Sequence, residues 1–407
     1  MIEVQGKFST AKIFTDNVEQ SALSQIYELL NQKAFEGAKI RIMPDVHSGK
    51  GCVIGFTANL GEKVIPNLVG VDIGCGLHIV ELGNIDIDFA SLDTFIRNKI
   101  PHGHGINGEP HKDVKAITQG LKKIAEKTDT SYEKHMRAIG SLGGGNHFIE
   151  INADDDGNKY LVIHSGSRNL GLQVAKYHQK KAEMHCKDMT KKLRDEMNRL
   201  VGKLRGSGKT TTISSLIAQH TGKIEEYQVP KDLMFLEGKD AEEYLEDMII
   251  AQLFARLNRE RMAELIVESM GLKYRELESW TTIHNYIDTE DAIIRKGAIS
   301  AKEGEKVIIP LNMRDGSIIA MGKSNNDWNN SAPHGAGRVF SRSKAKEKLS
   351  LDEFESTMQD VWTSSIGAGT IDEAPMAYKP SQEIIDAIHE TVDIVKVIKP
   401  LYNFKSS

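Results

Sequence analysis

Val69-Gly70-Val71-Asp72-Ile73-Gly74-Cys75-Gly76 is the stretch around which the rest of the chain is organised. It places one carboxylate, Asp72, and one thiol, Cys75, in a run that also holds three glycines. Glycine permits positive φ and close backbone approach, so the run predicts a tight turn that directs side chains inward. An acidic oxygen and a soft sulfur directed at one point suit a divalent metal, whereas a buried cysteine is more often a packing residue. The stretch alone leaves both interpretations open.

The composition is that of a globular protein with room for a substantial core. The chain has 407 residues, of which 40% are hydrophobic and 27% charged. A net charge of −5 argues against non-specific nucleic-acid binding through overall charge, but it leaves a local basic groove open. Three cysteines make no disulfide framework, which fits a reducing compartment. The start of the chain shows no signal-peptide pattern, and no apolar run reaches the ~20 residues of a membrane helix, so we expect a cytoplasmic protein with no membrane partner.

Apolar periodicity indicates helices and strands interleaved along the chain. It predicts helices at 18–35, 241–270, 344–348 and 381–397, strands at 38–43, 53–58, 63–71, 77–82 and 160–163, and strand-rich sequence from 293 to 321. Neither an internal repeat nor a low-complexity linker is found. We therefore predict a single α+β domain over 1–407, with mixed or antiparallel sheets that supply loops to one central two-metal cleft and with helices packed outside.

A basic, mostly helical insertion is predicted at about 172–240. Its first part, 172–209, holds 11 Lys/Arg and 4 Asp/Glu, a local balance of +7. Such a segment is either a solvated helix face or a surface for a phosphate backbone. Gly206-Ser207-Gly208-Lys209-Thr210 resembles a P-loop, but position 203 is lysine where that motif needs glycine, and no buried strand precedes it.

Five residues share a context of glycine-rich or strand-end loops: Asp72, Cys75, His147, His164 and His284. One thiolate, one carboxylate and three imidazoles exceed what a single tetrahedral zinc needs, and they suit two metals that share the thiolate. Structural zinc sites usually contain C-x-x-C pairs, which this chain lacks, so an open catalytic site is the better prediction. Two-metal sites characteristically act on phosphoryl groups.

His334 lies in a different context, because Gly-Ala-Gly-Arg follows it. Small neighbours leave room for a bulky group on the imidazole, and Arg338 can hold a phosphate bidentately. A histidine that forms a phosphoramidate with a nucleotide needs both features. Taken alone, a histidine such as His334 is more often a hydrogen-bonded loop residue than a nucleophile.

These residues belong to blocks in which the chain resembles the RtcB family of RNA ligases. The blocks come in the family's order: Met43-Pro44-Asp45-Val46-His47, Val71-Asp72-Ile73-Gly74-Cys75-Gly76, Gly145-Asn146-His147-Phe148-Ile149-Glu150, His164-Ser165-Gly166-Ser167-Arg168, His284-Asn285-Tyr286, Arg295-Lys296-Gly297-Ala298, His334-Gly335-Ala336-Gly337-Arg338 and Met376-Ala377-Tyr378-Lys379. Eight ordered blocks between residues 43 and 379 cover nearly the whole chain.

The resemblance implies a ligase of RNA repair or tRNA splicing that depends on GTP and two Mn²⁺. It would join an RNA 3′-phosphate or 2′,3′-cyclic phosphate to a 5′-hydroxyl, through a His334–GMP intermediate and a GMP-activated RNA 3′ end. Cys75 would bridge the metals, with Asp72 and His147 on one and His164 and His284 on the other. The nucleotide pocket would include Asn146, Glu150 and Tyr378, and Asp45, Arg168 and Arg338 would act near the metals and phosphates. An archease-like activator is a possible further partner.

Two departures from the family concern the nucleotide. Family members usually carry a Pro-Gly-Ser-Met-Gly-like loop at the GTP phosphates, where this chain reads Pro310-Leu311-Asn312-Met313-Arg314-Asp315-Gly316. Many members also end in Lys-Gly, with a lysine that reads the guanine, whereas here two serines follow Lys405. The pocket residues that we carry over from these segments are Pro310, Asn312, Met313 and Lys405.

Two other functions compete with ligation. A metal-dependent phosphodiesterase or nuclease on RNA ends would use the metals without needing His334. A protein that binds RNA ends without turnover would need neither, and the full set of metal-competent residues argues against it.

Overall fold

Short apolar strands that end in glycine-rich turns alternate with longer helices, and a computed structural model shows how they assemble. The structure describes residues 1–112, 114–207 and 212–406. The described helices are α1 (Gln20–Leu30), α2 (Phe89–Lys99), α3 (Lys115–Lys127), α4 (Tyr132–Ala138), α5 (Arg168–Gly206), α6 (Ile213–Tyr227), α7 (Gly238–Ser269), α8 (Arg342–Lys348), α9 (Leu351–Thr357) and α10 (Ser381–Ala387).

The strands are β1 (Ile2–Gln5), β2 (Thr10–Ile13), β3 (Lys39–His47), β4 (Ile54–Asn59), β5 (Gly76–Gly83), β6 (Phe148–Ala153), β7 (Lys159–Ser165), β8 (Ser279–Ile283), β9 (Asn285–Asp288), β10 (Ile293–Lys296), β11 (Ala298–Ser300), β12 (Lys306–Asn312), β13 (Gly316–Gly322), β14 (Ser331–Pro333), β15 (Trp362–Thr363) and β16 (Val392–Phe404). Helices and strands both form substantial parts of one fold, which confirms the α+β prediction. The division into a domain and a basic insertion at about 172–240 stays a prediction.

Two main sheets are mixed or antiparallel. One has the order β1-β2-β3-β4-β10-β9, with β2 and β3 parallel. The larger has the order β12-β13-β16-β6-β7-β5-β8, and β15 adds a parallel pair with β16. A two-stranded ladder of β11 and β14 completes the described sheets.

The register of the larger sheet brings loops from distant parts of the sequence to one edge. Antiparallel pairing sets Gly76 of β5 opposite Ser165 of β7 and opposite Ile283 of β8. Phe148, the first residue of β6, pairs with His164 near the end of β7. The start of β5, the end of β7, the start of β6 and the end of β8 therefore lie side by side, and the predicted site residues flank these four positions.

Helix α7 covers one face of this sheet. It packs against β5 and β7, and α2, α3 and α5 pack against it in turn. Phe254, Met262 and Ile266 of α7 are fully buried, as apolar residues at helical spacing should be. Among the described residues, no helix is long and apolar enough to cross a membrane.

Two predicted elements are wrong. The helix predicted at 381–397 ends at Ala387, and β16 begins at Val392. The second part, Val392-Asp393-Ile394-Val395-Lys396-Val397-Ile398, is rich in β-branched residues, which fit a pleated sheet better than a helix. This stretch pairs with β13, and the remainder of β16, from Lys399 to Phe404, pairs with β6.

The strand predicted at 63–71 is an irregular segment with a 3₁₀ turn at Pro66–Leu68. Pro66 has no N–H to give to a ladder, which removes it from a central strand. Val64, Ile65, Leu68 and Val69 are buried all the same, so the apolar run is a core segment with a single antiparallel bridge, between Val64 and Leu236. Gly208, Lys209 and Thr210 of the P-loop-like run lie outside the described residues.

Candidate active site

A cleft of about 630 Å³ lies at the aligned edge of the larger sheet. It collects residues from segments that are far apart in the chain: Asp72, Cys75, Asn146, Glu150, His164, His284, Pro310, Asn312, Met313, His334, Arg338, Tyr378 and Lys405. His147 contacts this set through Asp72 and Cys75. Asp45 lies directly behind His334. Three of the predicted residues, Asp45, His147 and Arg168, are not part of the cleft lining, although Asp45 and His147 contact residues that are.

Cys75 belongs to two groups of donor atoms. One consists of Cys75, His164 and His284, and the other of Asp72, Cys75 and His147, with the donor atoms of each group within 4.8 Å of one another. Cys75 Sγ lies 3.4 Å from Nε2 of His147 and 3.4 Å from Nε2 of His164. The five residues are thus divided as the sequence resemblance implies, with the sulfur at the centre.

Close backbone packing holds Asp72 in place. Ser167 at the start of α5 donates its backbone N–H to Asp72 Oδ1 at 3.0 Å, so the carboxylate also lies at a helix N-terminus, where negative charge is favoured. A Cβ at Gly166 would lie 2.2 Å from either carboxylate oxygen. A Cβ at Gly76 would lie 2.3 Å from the backbone oxygen of Thr282. Glycine at these two positions is therefore a requirement of space.

Burial sets the charge states of the donors when no cation is bound. It raises the pKa of the Cys75 thiol well above its usual value, and the Asp72 carboxylate adds to this effect. It lowers the pKa values of His164 and His284 well below the usual value, and neighbouring imidazoles add to the shift. Both histidines are accordingly neutral, which is the form that binds metals.

Arg259 of α7 is a fully buried cation beneath this cluster that sequence reasoning missed. Its Nη1 donates to the backbone oxygens of Gly74 at 2.8 Å and of Ser165 at 2.9 Å. Burial lowers its pKa to about 10, and the guanidinium remains charged at neutral pH. It ties the turns before β5 and after β7 together. No signal in the sequence marks it, because it lies within an apolar helix pattern.

The donor set fits divalent metals. Thiolate, carboxylate and imidazole are together the ligand types of transition-metal sites. His284 Nδ1 is buried and has no hydrogen-bond partner among the described residues. A bound metal ion or a hydrogen-bond donor or acceptor from a ligand would satisfy this nitrogen. The arrangement offers two adjacent positions with one shared sulfur ligand.

Asp45 orients His334. Its Oδ2 accepts a hydrogen bond from His334 Nδ1 at 2.6 Å and another from the His334 backbone N–H at 3.1 Å. Asp45 is fully buried, whereas the His334 side chain keeps 18% of its surface exposed. With Nδ1 engaged, Nε2 carries the free lone pair. The imidazole also lies 4.8 Å from that of His284, measured between ring centroids.

The chain closes tightly behind this pair. Gly337 has φ +76, and a Cβ there would lie 2.4 Å from the Asp45 backbone oxygen. A Cβ at Gly297 (φ +61) would lie 3.2 Å from His334 Cε1. The small neighbours of His334 thus let its imidazole approach the β3 backbone.

On another side of the cleft, the buried carboxylate of Glu373 forms ion pairs with three basic side chains. It accepts contacts from Arg338 Nη1 at 3.2 Å, Arg342 Nη1 at 2.8 Å and Lys405 Nζ at 3.2 Å. Tyr378 donates its hydroxyl to Glu373 at 2.6 Å. The pKa of Glu373 falls to about 2 because these cations outweigh the effect of its burial. Arg338 is therefore already engaged, and a phosphate would share it with Glu373.

Glu150 and Asn146 lie where β6 meets β16. Glu150 pairs in register with Asn403, whose amide donates to its carboxylate at 2.7 Å. Burial raises the pKa of Glu150 to about 7. The same pairing brings Lys405 Nζ to within 3.3 Å of the Asn146 backbone oxygen. Lys405 thus reaches the cleft without the Lys-Gly ending of many family members.

The divergent loop lines the cleft, but its extra charge is balanced internally. Arg314 Nε pairs with Asp315 at 2.7 Å, and Asp315 also accepts from the Asn312 amide at 2.8 Å. Met313 is buried against Phe354 in a small apolar cluster. The loop offers the cleft mainly backbone and uncharged groups.

Arg168 starts α5 with φ +57, a strained conformation for a residue with a side chain. Its guanidinium donates to Ser141 Oγ at 3.1 Å and to the Gly103 backbone oxygen at 2.6 Å. Burial lowers its pKa. It braces the loop around Gly103 beside the metal-competent cluster, where the Asp72 carboxylate favours its charged form.

Comparisons with known proteins agree with this geometry. The family model described as tRNA-splicing ligase RtcB matches residues 28–406. The chain is 31% identical to the RNA-splicing ligase RtcB of Escherichia coli, with 88% of each chain covered. It is 26% identical to the tRNA-splicing ligase RtcB of Nanoarchaeum equitans over 88% of this chain and 85% of the relative. A tRNA-splicing ligase RtcB from Archaeoglobus fulgidus is 24% identical over 98% and 94%.

Proposed function

Because this chain belongs to the RtcB family, we propose that it is an RNA ligase that joins a 3′-phosphate or 2′,3′-cyclic phosphate end to a 5′-hydroxyl end, using GTP and Mn²⁺. The observation that carries the proposal is the position of His334. Its Nδ1 is held by a buried carboxylate, its Nε2 is free, and its ring lies next to one of two donor groups that share a sulfur. This is the arrangement that a nucleophilic imidazole at a phosphoryl-transfer centre needs.

In the first step, His334 Nε2 attacks the α-phosphorus of GTP and pyrophosphate leaves. Asp45 holds the imidazole in the tautomer that presents Nε2, and it stabilises the positive charge that develops on the ring. Arg338 and Lys405 are close enough to the cleft to contact phosphate oxygens. Those oxygens would compete with the Glu373 carboxylate for the two cations.

In the second step, an oxygen of the RNA 3′-phosphate attacks the GMP phosphorus and the P–N bond to His334 breaks. A 2′,3′-cyclic end enters this step after water has attacked its phosphorus and the bond to O2′ has broken, which leaves a 3′-phosphate and a 2′-hydroxyl. In the third, the 5′-hydroxyl attacks the RNA phosphorus and GMP leaves. A bare 3′-phosphate is a poor electrophile, and the GMP cap gives it a stable leaving group.

Cys75 would hold both Mn²⁺, with Asp72 and His147 on one and His164 and His284 on the other. When bound, the metals would supply Lewis-acid stabilisation of charge on the phosphoryl oxygens.

The decisive experiment compares GTP labelled at the α-phosphate with GTP labelled at the γ-phosphate. With Mn²⁺, the wild type should retain the label of α-labelled GTP in an acid-labile, base-stable adduct and should lose that of γ-labelled GTP. His334→Ala should carry no adduct, and His389→Gln, an exposed histidine outside the cleft lining, should behave as the wild type. Absence of any adduct on the wild type would overturn the proposal.

The same variants separate ligation from the competing hydrolytic function. A metal-dependent phosphodiesterase that acts on RNA ends needs the donor groups and not the nucleophile. It predicts that His334→Ala retains cleavage activity and that no GMP is transferred. The proposed ligase predicts loss of all joining in that variant.

A further inference from the structure

A second imidazole, His47, lines the same cleft and has no role in the steps above. It lies at the end of β3, two residues beyond Asp45, and its Nδ1 lies 2.9 Å from the Asp45 backbone oxygen. Because a carbonyl oxygen only accepts, Nδ1 carries the proton in this contact and Nε2 carries the lone pair. One residue, Asp45, thus orients two imidazoles: His334 through its carboxylate and His47 through its carbonyl.

The protonation state of His47 fits an acceptor. Burial lowers its pKa to about 4, and the neighbouring His334 contributes to the shift. Its Nε2 has no hydrogen-bond partner among the residues that the structure describes. His47 is thus a neutral imidazole with a free lone pair in the reaction cleft.

The surroundings of His47 suit a ribose rather than a phosphate. Helix α1 and the segment after β3 form an arm of the cleft lined by Ser21, Gln25 and Ser48. The two serine hydroxyls lie 2.6 Å apart, and Gln25 exchanges hydrogen bonds with the Gly49 backbone. The one carboxylate in this arm, Glu19, accepts the Ser48 backbone N–H at 2.9 Å. Hydroxyl and amide groups match a sugar, whereas the arginines and Lys405 gather around Glu373.

The other carboxylates that line the cleft are already engaged. Both oxygens of Glu150 accept hydrogen bonds, from the amides of Asn152 and Asn403. Both oxygens of Asp72 are occupied as well, by Ser167 and His147. Glu373 is paired with three cations. A hydroxyl proton therefore has few acceptors in the cleft besides the two imidazoles that Asp45 orients.

We propose that His47 is the general base of the sealing step and takes the proton of the RNA 5′-hydroxyl as that oxygen attacks. This inference rests on the proposed ligase function and assigns a residue within it. The O–P bond forms to the capped 3′-phosphate, the P–O bond to GMP breaks, and GMP leaves with the electron pair. The proton passes from the 5′-oxygen to His47 Nε2 and from there to solvent. His334 is then needed for the first two steps and His47 for the third.

The test isolates the third step by supplying RNA whose 3′-phosphate already carries GMP. His47→Gln keeps a polar side chain of similar reach but cannot take a proton. We expect it to seal this RNA about 10²- to 10⁴-fold more slowly than wild type, the usual contribution of a general base. With unmodified 3′-phosphate RNA and GTP, the variant should form the His334 adduct within about twofold of the wild-type rate and should accumulate capped RNA.

A chemical rescue distinguishes proton transfer from structural support. Added imidazole should restore sealing by His47→Ala and leave His47→Gln unchanged, because only the smaller side chain leaves room for it. His389→Gln is the matched control and should seal capped RNA at the wild-type rate.

Three results would overturn the assignment. Adduct formation that falls in parallel with sealing would mean that His47 supports Asp45. Wild-type sealing of capped RNA by His47→Gln, with its loss in His334→Ala, would make His334 the base. An unrescued His47→Ala would point to packing. A wild type that forms no adduct and seals no capped RNA is a different outcome, since it refutes the ligase function itself.

Discussion

Cys75 is the one side chain that both donor groups share, so its removal should affect both proposed metals. Cys75→Ala is expected to lower Mn²⁺ binding from two ions per chain to fewer than one, measured by equilibrium dialysis. His284→Ala should remove one ion only, because the group of Asp72, Cys75 and His147 keeps its donors. The control is Cys186→Ala, which removes a buried thiol outside the cleft lining and should keep both ions. Retention of both ions by Cys75→Ala would contradict the shared-ligand assignment.

Glu150 should make stability depend on pH. Its pKa is raised from 4.5 to about 7 in the folded chain, so the folded state holds a proton that the unfolded state releases over that range. Stability is therefore expected to fall as pH rises from about 4.5 to 7, by on the order of 2–3 kcal/mol. Burial to 3% exposure means that solvent screens little of this effect.

Urea unfolding of the wild type and of Glu150→Gln at pH 5 and pH 8 measures the effect. The variant cannot titrate at this position. Its free energy of unfolding, relative to that of the wild type, should therefore be higher at pH 8 than at pH 5. An equal difference at both values would show that Glu150 titrates normally in the folded chain.

At the scale of the element, the turn between β7 and α5 sets the position of Asp72. A Cβ at Gly166 would lie 2.2 Å from its carboxylate oxygens, so Gly166→Ala must displace either the turn or Asp72. We expect a loss of about 1–3 kcal/mol in the free energy of unfolding and weaker Mn²⁺ binding in the group that contains Asp72. Binding by Cys75, His164 and His284 should persist.

Gly202→Ala is the matched control, because nothing lies within 4 Å of a Cβ at that helical position. It should raise stability by about 0.5–1 kcal/mol and leave Mn²⁺ binding unchanged. If Gly166→Ala binds both ions as tightly as the wild type, the turn does not position Asp72.

The sequence predicted an element correctly where the local pattern of apolar residues was enough to determine its backbone conformation. The strands from 38 to 43 and from 53 to 58 were recognisable because short apolar runs between turns need no tertiary information. The segment at 63–71 and the end of the helix at 381–397 were not. In both segments the apolar residues correctly predicted burial. The backbone conformation was determined instead by Pro66 in the first segment and by the β-branched residues from Val392 onward in the second.

The residues of the site likewise include some that the sequence predicted and some that it missed. Asp72, Cys75 and the three histidines could be found because each lies in a glycine-rich or strand-end loop, and strand order then brings those loops together. Arg259 could not, since a buried charge in an apolar helix is identified only by what it contacts across the fold. Glu373 is similar: its importance comes from Arg338, Arg342 and Lys405, which lie about 30 to 35 residues away from it in the chain.

At the scale of the whole molecule, α5 connects the cleft to a distant basic surface. Its N-terminus holds Asp72, and its buried residues end at Cys186. Beyond that point Lys191, Arg194 and Arg199 are exposed, and no ion pair joins them to a carboxylate among the described residues. They lie about 35 to 45 Å from the helix start at 1.5 Å per residue. An RNA end bound in the cleft therefore reaches this surface only when the RNA continues for several tens of ångströms.

Replacement of Lys191, Arg194 and Arg199 by glutamine should consequently weaken the binding of long RNA and spare short oligonucleotides. Each lost phosphate contact is expected to reduce the slope of log affinity against log salt by about 0.7–0.9, measured by filter binding at several salt concentrations. The labelled-GTP adduct should form normally, because the cleft is untouched. A control triple variant at the exposed Lys7, Lys123 and Lys273 removes the same charge elsewhere and should keep the wild-type slope. An unchanged slope in the α5 variant would make the basic segment a solvated helix face, whereas equal weakening of short and long RNA would place these residues at the cleft rather than beyond it.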